Sequence, residues 1–209
     1  SWLLTKVSGR TYSWPIMRIE MAAARHMFRH RGVTYHVLYG ETDFWFLGRT
    51  ARITGNHLVV SFHDGEKVLR GHGIDRKLLR NVDAVMILGA NQRPFFESLV
   101  SPDKIYVVPH GVDPEFFHPD STVAKERMVL TVGGHTRDYE TFRMAIQLVW
   151  DVDPTVRFVA VSPNIGHLGQ PFEMEGVEYF SGIPDDELLR LYRTAMVAAF
   201  SFEWAIANN

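Results

Sequence analysis

Three short stretches hold residue types that could do chemistry together. VVSFHDG, residues 59–65, runs an apolar segment into His63, Asp64 and Gly65. A histidine at the end of a buried strand can hydrogen-bond a ligand or move a proton near neutral pH. The alternative is a strand-end turn built on Asp64 and Gly65. VVPHGVDPEFFHP, residues 107–119, ends an apolar segment at Pro109, turns closely at Gly111 and anchors itself with Phe116 and Phe117. Its local physics is a strand, a tight turn and a joint between lobes, with His110 a candidate to face a cleft. VLTVGGHTRDYETF, residues 129–142, feeds an apolar segment into Gly133, Gly134 and a helix preceded by Arg137. Paired glycines let backbone N–H groups approach an anion, the helix offers its positive end, and a guanidinium offers phosphate a fork of donors. The competing reading is a solvated Arg137 paired with Asp138 or Glu140.

Other chemistries have no residues to carry them. There is no cysteine, which excludes disulfide scaffolds, thiolate metal sites and cysteine nucleophiles. The ten histidines are scattered, and His63 beside Asp64 is not a ligand set, so no metal is expected. No Gly-x-Ser-x-Gly elbow occurs. Phe44-Trp45-Phe46 could stack on a sugar, although core packing suits such a run better. With 22 Lys and Arg against 24 Asp and Glu, the net charge is −2, and nothing global favours nucleic acid or anionic lipid. No apolar run approaches the ~18 residues of a membrane span, and SWLLTKVSGR lacks a signal-peptide core. A cytoplasmic protein is expected, with peripheral membrane contact as a further candidate. The chain opens on Ser1, which predicts a piece of a longer protein.

These stretches need elements to hold them. Apolar, β-branched segments at 33–39, 57–62, 83–88, 104–109, 128–133, 156–161, 176–180 and 196–201 predict strands, several buried on both faces. Helical patterns fill 15–30, 66–81, 91–100, 139–150 and 184–194, with Gly71 and Gly73 weakening the second. In the last, Pro184 suits the first helical position, and Asp185, Asp186 and Glu187 suit the positive end of the dipole. Alternating strands and helices predict an α/β fold with a mostly parallel sheet. The proline-bearing polar stretch 114–127 predicts a linker between two lobes, 1–113 and 128–209. In open α/β sheets ligands collect beyond the carboxyl ends of strands, where all three stretches lie.

Taken in order, these segments resemble the family 4 retaining glycosyltransferases of the GT-B fold. VVPHGVDPEFFHP is similar to that family's interlobe signature, and VLTVGG to the first strand and phosphate loop of its nucleotide lobe. VEYFSGIPDDELLRLYRTAMVAAFS resembles the later strand, helix and strand, and RNVDAVMILGANQRPFF the end of the acceptor lobe. VVSFHDG resembles the segment that carries a functional histidine in several members. The resemblance covers roughly 33–201. Gly134 stands where many members have Arg, so Arg137 becomes the diphosphate contact. Glu203 lies near the first Glu of the family's Glu-x7-Glu segment, but SFEWAIANN fits that spacing poorly. No opening strand with a Gly-rich loop precedes Val33, and no Glu-Ala-Met-Ala helix follows.

The resemblance implies two Rossmann-like lobes of GT-B type, both incomplete. It implies a nucleotide-diphosphate sugar as donor, a carbohydrate or other hydroxyl-bearing acceptor, retention of anomeric configuration, and no cofactor. It makes His63 the catalytic candidate, for acceptor orientation, proton handling or donor contact. Gly133, Gly134 and Arg137 become donor-binding candidates, and Asp64, His110, Gly111 and Glu203 cleft candidates. Three alternatives stand beside it: a non-catalytic sugar-nucleotide-binding remnant or scaffold, a GT-B-like sugar-nucleotide epimerase, and an unrelated doubly wound binding protein.

Overall fold

The computed structural model describes residues 12–134, 137–162 and 174–203. His135 and Thr136 of the glycine turn, the 1–10 stretch and residues 204–209 of SFEWAIANN lie outside the described residues. The chain forms two compact units that meet in sequence between Gly111 and Val112.

In the first unit the apolar segments become β1 (Thr34–Val37), β2 (His57–Phe62), β3 (Ala84–Ile87) and β4 (Ile105–Val107). They pair in parallel in the order β1-β2-β3-β4, with Val60 opposite Val85 and Val85 opposite Ile105. Parallel neighbours need crossovers. These are made by α2 (Leu47–Thr54) between β1 and β2, by α3 (Glu66–Gly71) and α4 (Arg76–Leu79) between β2 and β3, and by α5 (Arg93–Glu97) after β3. α1 (Trp14–Arg29) precedes them. Two carbonyls at its end, on Met27 and His30, accept from the side-chain amide of Asn56 at 3.0 and 2.9 Å. Met27, Leu58, Val60, Phe62, Leu69, Leu79, Val85, Ile87 and Phe96 are fully buried together.

The helical pattern at 66–81 resolves into two short helices. Gly73 adopts φ +73°, and Asp75 then caps α4 by accepting the Leu78 N–H at 2.8 Å. α2 was not legible as a helix, because LGRTARIT combines Gly with β-branched residues of low helix propensity. Its start is held from elsewhere. One carboxylate oxygen of the buried Glu20 on α1 accepts the N–H groups of Trp45, Phe46 and Leu47 at 2.8, 2.6 and 2.8 Å, and Tyr12 donates to the other. A carboxylate there satisfies the orphan donors of a helix start. Phe44 of the Phe44-Trp45-Phe46 run serves the core and is fully buried, while Trp45 and Phe46 are half-buried.

The second unit holds β5 (Glu126–Val132), α6 (Tyr139–Val152), β6 (Arg157–Val161), β7 (Val177–Phe180), α7 (Asp185–Thr194) and β8 (Ala195–Ala198). All pairings are parallel, in the order β7-β6-β5-β8. Phe142 and Ile146 of α6 bury against Phe158 and Ala160. Leu191 of α7 buries against Met128, Leu130 and Val159. The 112–125 stretch lies with this unit. Phe117 meets Tyr192 edge-on at 6.5 Å, Arg193 Nε donates to the His118 carbonyl at 3.2 Å, and Lys125 Nζ to that of Ala195 at 3.0 Å. The fold is thus α/β with two parallel-sheet, Rossmann-like units, as the sequence predicts. The chain moves outward from β5 to β6 and β7, then returns through α7 to β8 on the other side of β5. That reversal places a topological switch point at the carboxyl ends of β5 and β8.

Candidate functional site

At the carboxyl edge of the first sheet, the chain leaving β1 presses onto β2. The N–H of Gly40 donates to the Ser61 carbonyl at 2.8 Å, and a Cβ on Gly40 would stand 2.4 Å from Val60 and 2.5 Å from the Phe62 ring. Only glycine fits such an approach. The next residue, Glu41, is thereby set beneath the end of β2. Its Oε1 accepts the N–H of His63 and, at 3.1 Å, the N–H of Asp64. The same oxygen stands 3.6 Å from Nδ1 of His63, with the two side chains 25% and 6% exposed. Nδ1 is itself buried and makes no hydrogen bond.

Two more rings flank His63. Tyr39, from the β1 side, lies 4.8 Å away, and His110, from beyond β4, is stacked at 5.5 Å with 19° between planes. Gln92 supports the turn from the β3 side. Its Nε2 donates to the carbonyls of Phe62 and Asp64 at 3.2 and 2.9 Å, while its Oε1 accepts from Leu88 and Gly89. The structure thus brings His63, Asp64 and His110 to one sheet edge. Gly111 follows them, but its φ is not positive and a Cβ there would meet no atom within 4 Å. The close turn read from the sequence therefore does not depend on glycine at that position.

At the edge of the second sheet, Gly133 adopts φ +94° and its N–H donates to the Val161 carbonyl at 2.8 Å. Arg137 folds back across it. Nε and Nη2 both donate to the Val132 carbonyl, at 3.1 and 2.8 Å. The guanidinium carbon lies 4.2 Å from the Phe202 ring centroid and 5.1 Å from that of Phe200, both just beyond β8. Arg137 is therefore at the β5–β8 switch point, paired with no carboxylate among the described residues. Burial lowers its pKa from the ordinary arginine value, opposed by Tyr139 and Tyr192. Gly134 is half-buried beside it, and Glu203 follows Phe202 as an exposed residue.

The helix end differs from a bare anion site. Asp138 caps α6, its carboxylate accepting the Thr141 N–H at 2.9 Å and the Thr141 hydroxyl at 2.7 Å. Those bonds hold its pKa below the usual carboxylate value. A carboxylate already occupies the positive end of α6. What remains for a ligand is Arg137 Nη1, without a partner among the described residues, and the Gly134 end of the turn, since the Gly133 N–H, read from the sequence as an anion donor, is held by the Val161 carbonyl. Tyr139 Oη donates to the Gly133 carbonyl at 2.9 Å and Ser201 Oγ to that of Asp138 at 2.6 Å, which fixes the turn around it.

Sequence reading missed Glu41, Tyr39 and Gln92. The Gly40-Glu41 pair just after a strand was the available signal, but its partner His63 lies 22 residues on. Among the described residues no group of three or more His, Asp or Glu is placed to hold a metal ion, and no helix is long and apolar enough to cross a membrane.

No protein-family model matches the chain, and no curated protein matches it. Solved structures that are loosely similar include the following three. A Glycosylation Associate Protein (Gap123) complex from Streptococcus agalactiae has 8% identity and a TM-score of 0.47 over 86% of this chain and 40% of that one. An S. aureus MnaA–UDP co-structure has 9% identity and a TM-score of 0.48 over 88% and 58%. An S. aureus TarM mutant in complex with Fondaparinux, alpha-GlcNAc-glycerol and UDP has 12% identity and a TM-score of 0.43 over 78% and 32%. This chain spans 40%, 58% and 32% of the length of those chains.

Proposed function

We propose that the protein transfers a sugar from a nucleotide-diphosphate donor to a hydroxyl-bearing, carbohydrate-type acceptor, with retention at the anomeric carbon. The observation that carries this reading is Arg137: a partly buried guanidinium with no carboxylate partner among the described residues, beside a glycine turn at a switch point. A partly buried cation of this kind favours an anionic ligand. The sequence context supplies the ligand class, because VVPHGVDPEFFHP and VLTVGG resemble a sugar-nucleotide enzyme.

In this reading the diphosphate meets the backbone of Gly134 and the outer nitrogen of Arg137, while Gly133, whose N–H is held by the Val161 carbonyl, shapes the turn. The bond from C1 to the diphosphate oxygen breaks, its electron pair leaving with the diphosphate, and the acceptor oxygen bonds to C1 on the same face. Fixed donors stabilise the charge that builds on the leaving group. The acceptor proton passes to a diphosphate oxygen, and His63 of the first unit is the catalytic candidate. Glu203 in the second unit, and Asp64, His110 and Gly111 in the first, are each candidates for sugar or acceptor contacts, and the Arg137 guanidinium does the work for which other enzymes use a divalent ion.

The second reading, a sugar-nucleotide binder that does not turn over, is favoured by Asp138, whose carboxylate repels phosphate at the α6 N-terminus. Incubation with a panel of nucleotide sugars and sugar acceptors, followed by NMR of the product, separates the two. An α-linked donor should give an α-linked product. Nucleotide-sugar binding without any product, across the panel, would favour the second reading.

A further inference from the structure

A groove of about 990 Å³ runs along the first unit between α2 and the α3–α4 region, lined by Trp45, Phe46, Arg49, Arg52, Lys77 and Arg80 among others. It continues into a smaller hollow at the amino ends of the strands, which shares Arg52 and Arg80 and adds Lys104 and Asp83. Asn56 and Asp83 of that hollow immediately precede β2 and β3. The groove therefore opens at the end of the sheet away from His63 and plays no part in the site above.

Its charge is lopsided. Arg49, Arg52, Lys77, Arg80 and Lys104 face two carboxylates, Asp75 and Asp83, in a chain whose net charge is −2. Both carboxylates are occupied by the fold. Asp75 caps α4, and Asp83 Oδ2 accepts the Leu58 N–H at 2.8 Å with His57 Nδ1 3.9 Å away. Two of the cations are also tied down, Arg52 to Asn81 Oδ1 at 3.1 Å and Lys104 to the Val82 carbonyl at 2.8 Å. The side chains of Arg49, Lys77 and Arg80 have no hydrogen-bond or ionic partner among the described residues.

We propose that this groove binds a small soluble ligand carrying several phosphate groups. Guanidinium forks match phosphate oxygens bidentately, and Lys77 adds a point charge. Like charges held along one groove repel each other until a counter-charge arrives, so a ligand with adjacent phosphates gains from all of them at once. The indole and phenyl of Trp45 and Phe46 give the wall a face for a ring attached to the phosphates. The concave shape favours a discrete ligand over a bilayer, which presents a flat surface.

The test is an NMR titration of the whole chain with inorganic tripolyphosphate at low salt, following the backbone amides. The amides of 45–53 and 73–81 should shift saturably, and added salt should weaken the response. Arg49→Glu with Arg80→Glu should weaken that response about tenfold or more, while any response at 133–137 stays as in the unsubstituted chain. Arg49→Gln and Lys77→Gln, which reverse no charge, should each weaken it in the same direction. Shifts confined to 133–137, or no response in the groove, would overturn the proposal. So would groove amides that respond to phosphatidylglycerol vesicles and not to tripolyphosphate. Because the readout is local to the groove, its failure leaves the sugar-transfer reading untouched, and the reverse holds.

Discussion

Glu41 Oε1 lies 3.6 Å from Nδ1 of His63 while accepting the backbone N–H of the same residue. One carboxylate oxygen thus holds the turn that carries the imidazole and faces the nitrogen on its buried side. A carboxylate facing Nδ1 favours the tautomer with the proton on that nitrogen, which leaves Nε2 as the nitrogen that meets a ligand. Nitrogen-15 NMR should find neutral His63 in the Nδ1–H form, and Glu41→Gln should shift it toward Nε2–H. An Nε2–H tautomer in the unsubstituted protein would contradict this coupling.

His63 itself is the candidate to touch the reacting groups. Replacing a positioned acid–base residue typically costs about 10²–10⁴-fold in rate. Once transfer is detected, turnover by His63→Ala should fall by that factor with unchanged circular dichroism. Turnover near that of the unsubstituted enzyme would leave His63 as a packing residue of the Tyr39–His63–His110 ring stack.

Glu20 should matter to stability rather than to chemistry. Removing it strands three N–H groups at the start of α2 and takes one partner from the Tyr12 hydroxyl. Hydrogen bonds to charged groups contribute ~1.5–3 kcal/mol each, and such losses are not additive. Glu20→Ala should therefore cost about 3 kcal/mol, read as a lower urea midpoint for the transition of the first unit. A change below about 1 kcal/mol would show that α2 holds without its cap.

Acid should act on the second sheet through a charge ladder. Arg157 on β6 pairs with Glu126 on β5 and, at 2.8 Å, with Glu178 on β7. Its hydrogen bond lowers the pKa of Glu178 from the ordinary 4.5. A depressed carboxylate pKa stabilises the fold above the unfolded value and loses that contribution as pH falls through the folded one. Arg157→Met should flatten the fall in stability of the second unit below about pH 4.5. The pair is half-exposed, so the effect at neutral pH should stay below about 1 kcal/mol. An unchanged acid limb would show that the ladder is incidental.

Legibility followed the range over which each feature is determined. β2 was readable to its last residue, because His57–Phe62 is an apolar run bounded by Asn56 and His63. α7 was readable from its acidic first turn, although Pro184 stands at the N-cap, in extended conformation, and Asp185 takes the first helical position. α2 was not, since its stabilising partner, Glu20, lies 27 residues before Leu47. The glycine turn at 133–134 was legible, but the direction of Arg137 was not. That direction is set by Phe200 and Phe202, which reach the turn only because β8 returns beside β5. Likewise, His63 and His110 stack because β2 and β4 flank β3, a neighbourhood no local pattern records.

Calorimetry tests Arg137 as a diphosphate contact. Titration of the chain with a panel of nucleoside diphosphates should find at least one that binds. Arg137→Ala should then weaken that binding by roughly 1.5–3 kcal/mol, the scale of a charged hydrogen bond. Arg137→Lys should restore only part of it, because an ammonium lacks the planar fork. Equal affinity in the unsubstituted and Arg137→Ala proteins, with the fold intact, would contradict the account.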